Sequence, residues 1–172
     1  LTIGKSATSS DGTNDVSVTI GNAIDIAGPI TVYGGNINLN ADIDTQAGVA
    51  GGDILFKASG NIIQAANVDI DTAGGEVTYW ANSDGETTVG GYITLKNSAT
   101  IDTRTASDRT ANNGASDDAS GGAITMGGGS SSATLGSGTV VPTGYALKAT
   151  SAQVGGIEFG TSASAGISLL SG

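Results

Sequence analysis

The sequence predicts an all-β protein, a right-handed parallel β-helix (β-solenoid) that forms a single domain over residues 1–172. Three observations predict this fold: a composition rich in Gly and β-branched residues, repeated period-two alternation of aliphatic and polar residues, and a loose internal repeat that begins at Gly-Gly pairs. If one coil takes about 20–25 residues, the chain makes about seven or eight coils with loops protruding between them.

Composition favours strands and turns. The chain has 29 Gly but only 2 Pro, a ratio that indicates many tight turns rather than a disordered linker. Ile outnumbers Leu, and Val, Thr and Ser are plentiful. β-branched side chains suit pleated sheets better than helices, so the chain is expected to be nearly all β.

The charge balance argues against binding to nucleic acid or to anionic membranes. The chain has 16 acidic and 6 basic residues, a net charge of −10, and the basic residues are scattered along it. Both kinds of surface require clusters of Lys and Arg. There is also no run of about 18 apolar residues, so the sequence predicts no membrane insertion.

Two missing residue types limit the chemistry. The chain has no Cys and no His, which removes disulfides, thiolate nucleophiles, Ser-His and Cys-His pairs, and the commonest metal ligand. The sequence therefore offers no site built on Cys or His, and we assign no catalytic, cofactor-binding or metal-binding residue.

Period-two alternation recurs along the chain and gives the inward face of each strand. In residues 36–44 (N-I-N-L-N-A-D-I-D) the four aliphatic residues at odd positions share one face, and only Asn and Asp lie on the other. A helix would need spacings of three and four on one face. The same alternation is present in Val16/Val18/Ile20/Asn22/Ile24/Ile26, Ile54/Phe56/Ala58, Val68/Ile70, Val77/Tyr79/Ala81, Ile93/Leu95 and Ile157/Phe159.

An internal repeat begins at Gly-Gly pairs. The pairs start at positions 34, 51, 74, 90, 121 and 155, so their spacing is irregular. An aliphatic alternation follows five of them, in GGNINLNA, GGDILFKA, GGEVTYWA, GGYITLKN and GGAITMGG. Three units end in Ile-Asp-Thr, at residues 43–45, 70–72 and 101–103. A unit is therefore a turn, a strand, a corner and a second short strand.

Units of this kind predict a solenoid rather than a sandwich. One unit cannot bury its apolar face alone, whereas stacked units close a continuous core. The irregular spacing fits loops that protrude at corners, and we expect them at residues 104–120, a polar excursion without periodicity, and at residues 127–132 (GGGSSS). A sandwich is the alternative, although the Asp-Gly and Asn-Gly pairs lie in polar loops and not at two-residue hairpin turns.

The units GGNINLNADIDT, GGDILFKASGNI and GGYITLKNSATIDT resemble the filamentous haemagglutinin-like repeats of two-partner-secreted bacterial exoproteins, over residues 29–103. The resemblance implies a very long right-handed β-helix, export through an outer-membrane pore, and a role in adhesion, aggregation or surface-fibre formation. The repeat region of that family carries no catalytic residues, so the resemblance also implies a protein that is not an enzyme.

Paired carboxylates leave one route to catalysis, the cleavage of polysaccharides. The pairs are Asp42/Asp44 and Asp69/Asp71, with Asp102 in the next unit, and the i, i+2 spacing places each pair on the outer face of a strand. These residues recur once per repeat, as expected of a solvated face. A carbohydrate-binding or carbohydrate-cleaving β-helix is therefore kept as an alternative function.

Calcium is the one cofactor that the sequence leaves open, and a calcium-stabilised surface domain is a second alternative. The rolls that bind calcium need a tandem Gly-Gly-x-Gly-x-Asp motif, which this chain lacks. Asp117-Asp118 or stacked outer Asp residues offer oxygen ligands, and a cation would relieve repulsion between stacked carboxylates. The simpler interpretation, which we favour, is that the Asp residues lie at different corners and keep the rod soluble.

The pair Tyr79-Trp80 contains the only Trp of the chain. Tyr79 shares the parity of Val77 and Ala81, so one of the two rings is expected to point outward. An exposed ring beside polar side chains can stack on a sugar or dock a partner. A ring that covers a corner or contacts the next subunit is an equally good explanation.

The ends of a β-helix need cover, because unpaired strand edges recruit other strands. The sequence shows no amphipathic helix or charged terminal segment to act as a cap, and it opens with LTIG, with neither Met nor a leader, so we expect a piece of a longer chain or filament. Together with the resemblance, this predicts an extracellular or bacterial cell-surface rod or adhesin. Its expected partners are copies of itself or neighbouring β-helical segments, joined end to end, and a host or neighbouring-cell glycan or protein.

Overall fold

The computed structural model is an all-β stack of parallel strands. It describes residues 1–5, 16–46, 51–84, 91–105, 121–134, 140–144, 157–159 and 168–170. Within these ranges there is no helix with the length and apolar content needed to cross a bilayer. The strands are β1 (Thr2–Ile3), β2 (Val18–Ile20), β3 (Ile24–Asp25), β4 (Ile30–Gly34), β5 (Ile37–Leu39), β6 (Ile43–Asp44), β7 (Ile54–Ala58), β8 (Ile62–Gln64), β9 (Asp69–Asp71), β10 (Val77–Ala81), β11 (Ile93–Leu95), β12 (Thr100–Asp102), β13 (Ile124–Thr134), β14 (Val140–Gly144), β15 (Ile157–Phe159) and β16 (Ser168–Leu170).

These strands lie in three sheets. Sheet A has the order β1-β4-β7-β10-β13-β14, sheet B the order β15-β11-β8-β5-β2, and sheet C the order β16-β12-β9-β6-β3. Neighbouring strands pair in parallel, apart from the antiparallel pair β13–β14. The chain passes from sheet A to B to C and then starts again one coil further on. This arrangement confirms the parallel β-helix and excludes the sandwich, while the right-handed sense of the coil stays a prediction from the usual sense of parallel crossovers.

Five coils can be traced through the described strands, fewer than the seven or eight expected from coil length. Successive parallel strands of sheet A begin at Ile30, Ile54, Val77 and Ile124, so the last interval is much longer than the two before it. The difference arises because the expectation assumed uniform coils, whereas a long insertion separates β12 from β13. Of the loop expected at 104–120, residues 104 and 105 are described, outside any strand, and the rest lies outside the described residues.

Inward side chains stack in columns from coil to coil. In sheet A one such column is Ile30, Ile54 and Val77, and its members are at most 1 % exposed. Each fully buried Ile or Leu stabilises the fold by about 1.5–3 kcal/mol relative to an exposed one. The period-two alternation is thus confirmed as the origin of the core, whose other columns include Val32/Phe56/Tyr79, Ile37/Ile62/Ile93 and Ile43/Ile70/Ile101.

The Gly-Gly and Ile-Asp-Thr signatures meet at the corner between sheets C and A. A Cβ atom on Gly75 would lie 2.6 Å from the carbonyl oxygen of Gly52, so no side chain fits where successive coils approach at this corner. The Thr of each Ile-Asp-Thr is buried, and its hydroxyl donates to the carbonyl of the second Gly of a pair. These bonds are Thr45 to Gly52 (2.8 Å), Thr72 to Gly75 (2.6 Å) and Thr103 to Gly122 (2.6 Å).

Asparagine side chains link successive coils at the corner between sheets A and B. Asn36 Oδ1 accepts the backbone N–H of Asn61 (2.9 Å), and Asn61 Oδ1 accepts that of Tyr92 (3.1 Å). Both bonds satisfy backbone donors that the sheets leave unpaired at the turn. The corner is therefore held by side chains as well as by strand pairing.

Strand β13 ends the parallel part of sheet A. Residues 124–128 pair in parallel with β10, and the strand then pairs antiparallel with β14, with a register irregularity between Gly128 and Ser132. Residues 127–132, predicted as an outward loop, therefore lie in a strand, because hydrogen bonds to neighbouring strands override the weak β propensity of Gly and Ser. Pro142 in β14 lacks an N–H, so this edge of sheet A resists the addition of a further strand.

Candidate functional site

The outer face of sheet A carries two rows of side chains that run along the solenoid. Residues in register on β4, β7 and β10 point away from the core at positions that alternate with the buried columns. We call them the threonine row, which consists of Thr31, Leu55 and Thr78, and the aromatic row, which consists of Tyr33, Lys57 and Trp80. Successive members of a row are separated by the spacing of adjacent strands, about 4.8 Å.

Lys57 and Trp80 form a cation–π pair within the aromatic row. The Lys57 Nζ atom lies 3.9 Å from the centroid of the Trp80 ring. A contact of this kind contributes about 0.5–2 kcal/mol, depending on how far the cation is desolvated. Burial also lowers the pKa of Lys57 from its ordinary value, because the charged ammonium loses water. The pair is consequently part of the sheet's packing and not a free cation beside a free ring.

The two aromatic rings singled out in the sequence have different environments. Tyr79 belongs to the core, is 0 % exposed, and its ring meets Phe56 edge to face with centroids 5.1 Å apart. Trp80 is the ring that points outward, as the alternation predicted, but it is only 4 % exposed, and its Nε1 donates to the Gly129 carbonyl (2.8 Å). A sugar or partner contact through either ring stays a prediction, and one through Trp80 would require Lys57 or the Gly129 segment to move.

A groove of about 280 Å³ lies next to the threonine row. Its lining residues are Pro29, Ile30, Thr31, Asp53, Ile54, Leu55, Glu76 and Thr78. The groove thus combines an apolar floor, two hydroxyl groups and two carboxylates, a mixture typical of sites for small polar ligands.

Thr78 and the two acidic residues give this groove its polar character. Thr78 is 4 % exposed, yet its hydroxyl has no hydrogen-bond partner among the described residues. Asp53 Oδ1 accepts the backbone N–H of Glu76 (2.8 Å), which places Asp53 and Glu76 on adjacent coils. In the part of the chain that the structure describes, neither carboxylate has a cationic partner. Two acceptors therefore face the groove without a counter-charge.

Sequence reasoning did not single out Asp53 and Glu76. Both directly follow a Gly-Gly pair, at the variable position of the repeat (Gly-Gly-Asp and Gly-Gly-Glu). Backbone bonds from Ile30 to Asp53 and from Ile54 to Glu76 show that this position stacks in register from coil to coil. An alignment of the repeats by their Gly pairs would have brought the two carboxylates together.

The Asp residues of the three Ile-Asp-Thr units, together with Asp25 of Ile24-Asp25-Ile26, form a ladder on the outer face of sheet C. Asp25, Asp44, Asp71 and Asp102 occupy consecutive register positions. The expectation that they lie at different corners is therefore wrong, because the repeat places the same residue at the same corner of every coil. We call this set the aspartate ladder.

Each of the last three ladder carboxylates also caps a turn. The Oδ1 atom accepts the backbone N–H two residues further on, in Asp44 to Gln46 (2.8 Å), Asp71 to Ala73 (3.2 Å) and Asp102 to Arg104 (3.0 Å). Arg104 also forms a salt bridge to Asp102 (2.8 Å). Because Asp can satisfy its own local backbone in this way, it is favoured directly before the turn that follows each short strand.

The remaining acidic candidates are involved in contacts between coils. Asp42 Oδ1 accepts the backbone N–H of Asp69 (2.9 Å), while both side chains are otherwise exposed. The described ranges contain no group of three or more acidic side chains placed to hold a metal ion. Asp117 and Asp118 lie outside the described residues. Calcium binding and catalysis by these carboxylates stay alternatives predicted from the sequence.

The chain matches no family model, no curated protein and no solved structure. The resemblance to filamentous haemagglutinin-like repeats therefore stays a hypothesis that rests on the repeat units themselves.

Proposed function

We propose that this chain is a structural, non-catalytic segment of an adhesive β-helical rod, located outside the cell or on a bacterial surface. The observation that supports this most directly is the open apolar end of the solenoid at its first coil. The repeat units that resemble the filamentous haemagglutinin-like exoproteins support it independently, because those proteins are long exported β-helices.

The open end is visible in two of the columns that the first coil begins. Val18 stands in register with Ile37, and Ile24 with Ile43. Ile37 and Ile43 are at most 1 % exposed, whereas Val18 and Ile24 are only partly buried, since no described coil covers them. Val16 beside them is 72 % exposed. Another coil with the same apolar columns would bury this surface.

The partner that fits this end best is a second copy of the chain. Strands β15 and β16 occupy the last positions of sheets B and C, at the opposite end of those sheets from β2 and β3. One copy can therefore continue the next in register through these two sheets, as a head-to-tail contact that does not close. Sheet A contributes less, because its last strand, β14, is antiparallel and contains Pro142.

Sedimentation of the purified chain over a range of concentrations tests this proposal. The expected result is association that grows with concentration, with elongated particles in electron micrographs. Val18→Lys places a charge in the open column and should leave the chain monomeric. Thr19→Lys is the matched control, because Thr19 lies on the same strand but on its exposed face. A wild-type chain that stays monomeric at every concentration contradicts the proposal.

A further inference from the structure

We propose that the groove beside the threonine row binds a cationic glycan, a chain of amino sugars whose ammonium groups pair with Asp53 and Glu76. This inference goes beyond the rod function and does not depend on end-to-end assembly, since the groove lies on the side of the solenoid. It rests on the chemistry of the groove lining and on its position on the sheet.

The first argument is the hydroxyl of Thr78. Thr78 is 4 % exposed, and its hydroxyl oxygen is not among the fully buried unpaired side-chain atoms of the described residues, so the small accessible part of this side chain can be reached from the groove. Thr78 and the half-buried Thr31 both line the groove, and neither hydroxyl has a hydrogen-bond partner among the described residues. Both hydroxyls can donate and accept, which suits the hydroxyl groups of a sugar.

The second argument is the charge of the groove. Ionised carboxylates only accept hydrogen bonds, so the ligand must bring the donors. Asp53 and Glu76 have no cationic partner in the described part of the chain, and the net charge of the whole chain is −10. An ammonium donor gives a shorter and stronger hydrogen bond to a carboxylate than a neutral donor does. Anionic glycans are disfavoured for the same reason.

The third argument separates a glycan from a peptide. Strands β4, β7 and β10 are each paired on both sides, so their backbone groups cannot capture an extended peptide by strand addition. Recognition at this face must therefore go through side chains. Asp53 and Glu76 lie on adjacent coils, whose backbones are about 4.8 Å apart. This spacing is close to the advance of one sugar ring along an extended glycan.

The fourth argument concerns the neighbouring ring. Trp80 would be the obvious platform for a sugar, but Lys57 covers one face of its ring at 3.9 Å. The groove offers Pro29 and Leu55 as the apolar surface instead, next to the polar groups. The ligand therefore lies against the threonine row and not against the aromatic row.

Calorimetric titration with glucosamine oligomers tests the proposal, at a mildly acidic pH where the amino groups of the oligomer are protonated. The fully N-acetylated oligomer of the same length is the uncharged comparison, and oligolysine is the peptide comparison. We expect the glucosamine oligomer to bind, with at least tenfold weaker binding of the acetylated oligomer and of oligolysine. The protein is used at a concentration where sedimentation shows a single copy, so a failure of assembly does not affect the result.

Variants of the groove locate the site. Glu76→Gln removes one charge and should weaken binding of the glucosamine oligomer about tenfold, while Thr78→Val should weaken it several-fold. The matched control is Asp25→Asn, which removes an exposed carboxylate on sheet C. Unchanged melting temperatures show that the variants are folded, and an Asp53→Asn variant, which keeps the Oδ1 acceptor, repeats the test if Glu76→Gln does not fold.

Three results would overturn the proposal. They are an absence of binding of the glucosamine oligomer, equal weakening by the Asp25→Asn control, and oligolysine binding as tight as that of the glucosamine oligomer. The first would show that the groove has no such ligand, the second that binding reflects the overall negative charge, and the third that the site is a basic-peptide site.

Discussion

The hydroxyl of Tyr79 donates a 2.8 Å hydrogen bond to Gln64 Oε1 inside the solenoid, and so joins the fourth coil to the third. Gln64 stacks between Leu39 and Leu95 of the neighbouring coils, at a position where those coils have an aliphatic residue. Its Nε2 donates to the carbonyl oxygens of Val68 (2.8 Å) and Thr100 (3.0 Å). Because every polar atom of the two side chains has a partner, the pair can be buried without an unpaired donor.

The two side chains of this pair should be energetically coupled. Gln64→Leu leaves the Tyr79 hydroxyl unpaired, at a cost of about 1–3 kcal/mol, and Tyr79→Phe does the same to Gln64 Oε1. The double variant should therefore lose less stability than the sum of the single variants, by about 1 kcal/mol. Urea unfolding of the four proteins measures the coupling. A cycle that pairs Tyr79→Phe with Asn38→Ala, on the outer face of sheet B, should give no coupling.

Stability should fall at alkaline pH because of Tyr79. Burial raises the pKa of Tyr79 well above its ordinary value, so the folded chain keeps the phenol proton while the unfolded chain releases it above about pH 10. Above about pH 10 the folded state therefore binds more protons than the unfolded state. The contribution of Tyr79 to the free energy of unfolding is fully present below about pH 10, and above it this contribution declines by up to about 1.4 kcal/mol per pH unit.

The comparison with Tyr79→Phe isolates this effect. The advantage of the wild type over Tyr79→Phe in unfolding free energy should shrink as the pH rises past about 10. Lys57 has a lowered pKa and acts in the opposite direction, but it is present in both proteins and cancels. A difference that stays constant with pH would contradict the assignment.

The buried Thr of the Ile-Asp-Thr unit should be important for its hydroxyl rather than for its shape. Thr72→Val keeps the volume but leaves the Gly75 carbonyl without the 2.6 Å bond, and it should cost about 1–3 kcal/mol. Thr72→Ser keeps the hydroxyl and should cost less. Chemical unfolding compares the two, with the exposed Thr19→Val as the control. A loss for Ser as large as that for Val would show that the methyl group matters as much as the hydroxyl, and would contradict the prediction.

Gly75 should not tolerate a side chain. A Cβ atom there would lie 2.6 Å from the Gly52 carbonyl oxygen, which is backbone and cannot turn away. Gly75→Ala should therefore lower stability by about 1–3 kcal/mol through overpacking. Gly21→Ala is the matched control, because nothing lies within 4 Å of its Cβ position, and it should be neutral or slightly stabilising. Thermal melts of the two variants decide the point.

The aspartate ladder should respond to charge removal in opposite directions at two positions. Asp44 stands in register between Asp25 and Asp71, so Asp44→Asn should stabilise the chain by about 0.2–1 kcal/mol at low salt. The gain should fade as salt screens the repulsion. Asp102→Asn loses the salt bridge to Arg104 and should destabilise. Thermal melts at low and high salt measure both changes.

The same melting experiment tests calcium binding by the ladder. If the ladder holds calcium, the wild type should melt lower when a chelator is added, and Asp44→Asn should lose that response. A melting temperature that does not change with calcium or chelator would leave repulsion and turn capping as the whole role of the ladder.

Much of the fold could be predicted from short stretches of the sequence. The alternation around Ile37 and Leu39 indicated which side chains enter the core, because strand geometry sends successive residues to opposite faces. The Gly pairs and the Ile-Asp-Thr units marked the corners. The number of coils could not be predicted, because the length of an inserted loop leaves the pairing of the strands unchanged.

The sequence by itself determined the fold class, the inward faces and the turn positions, since these follow from local geometry and from the pattern of apolar residues. Only the tertiary structure decided which residues stand above one another. That register added Asp25 to the ladder of Asp44, Asp71 and Asp102, and it placed Lys57 over Trp80. The physical reason is that contacts between coils join residues far apart in the sequence, at separations along the chain that variable loops set freely.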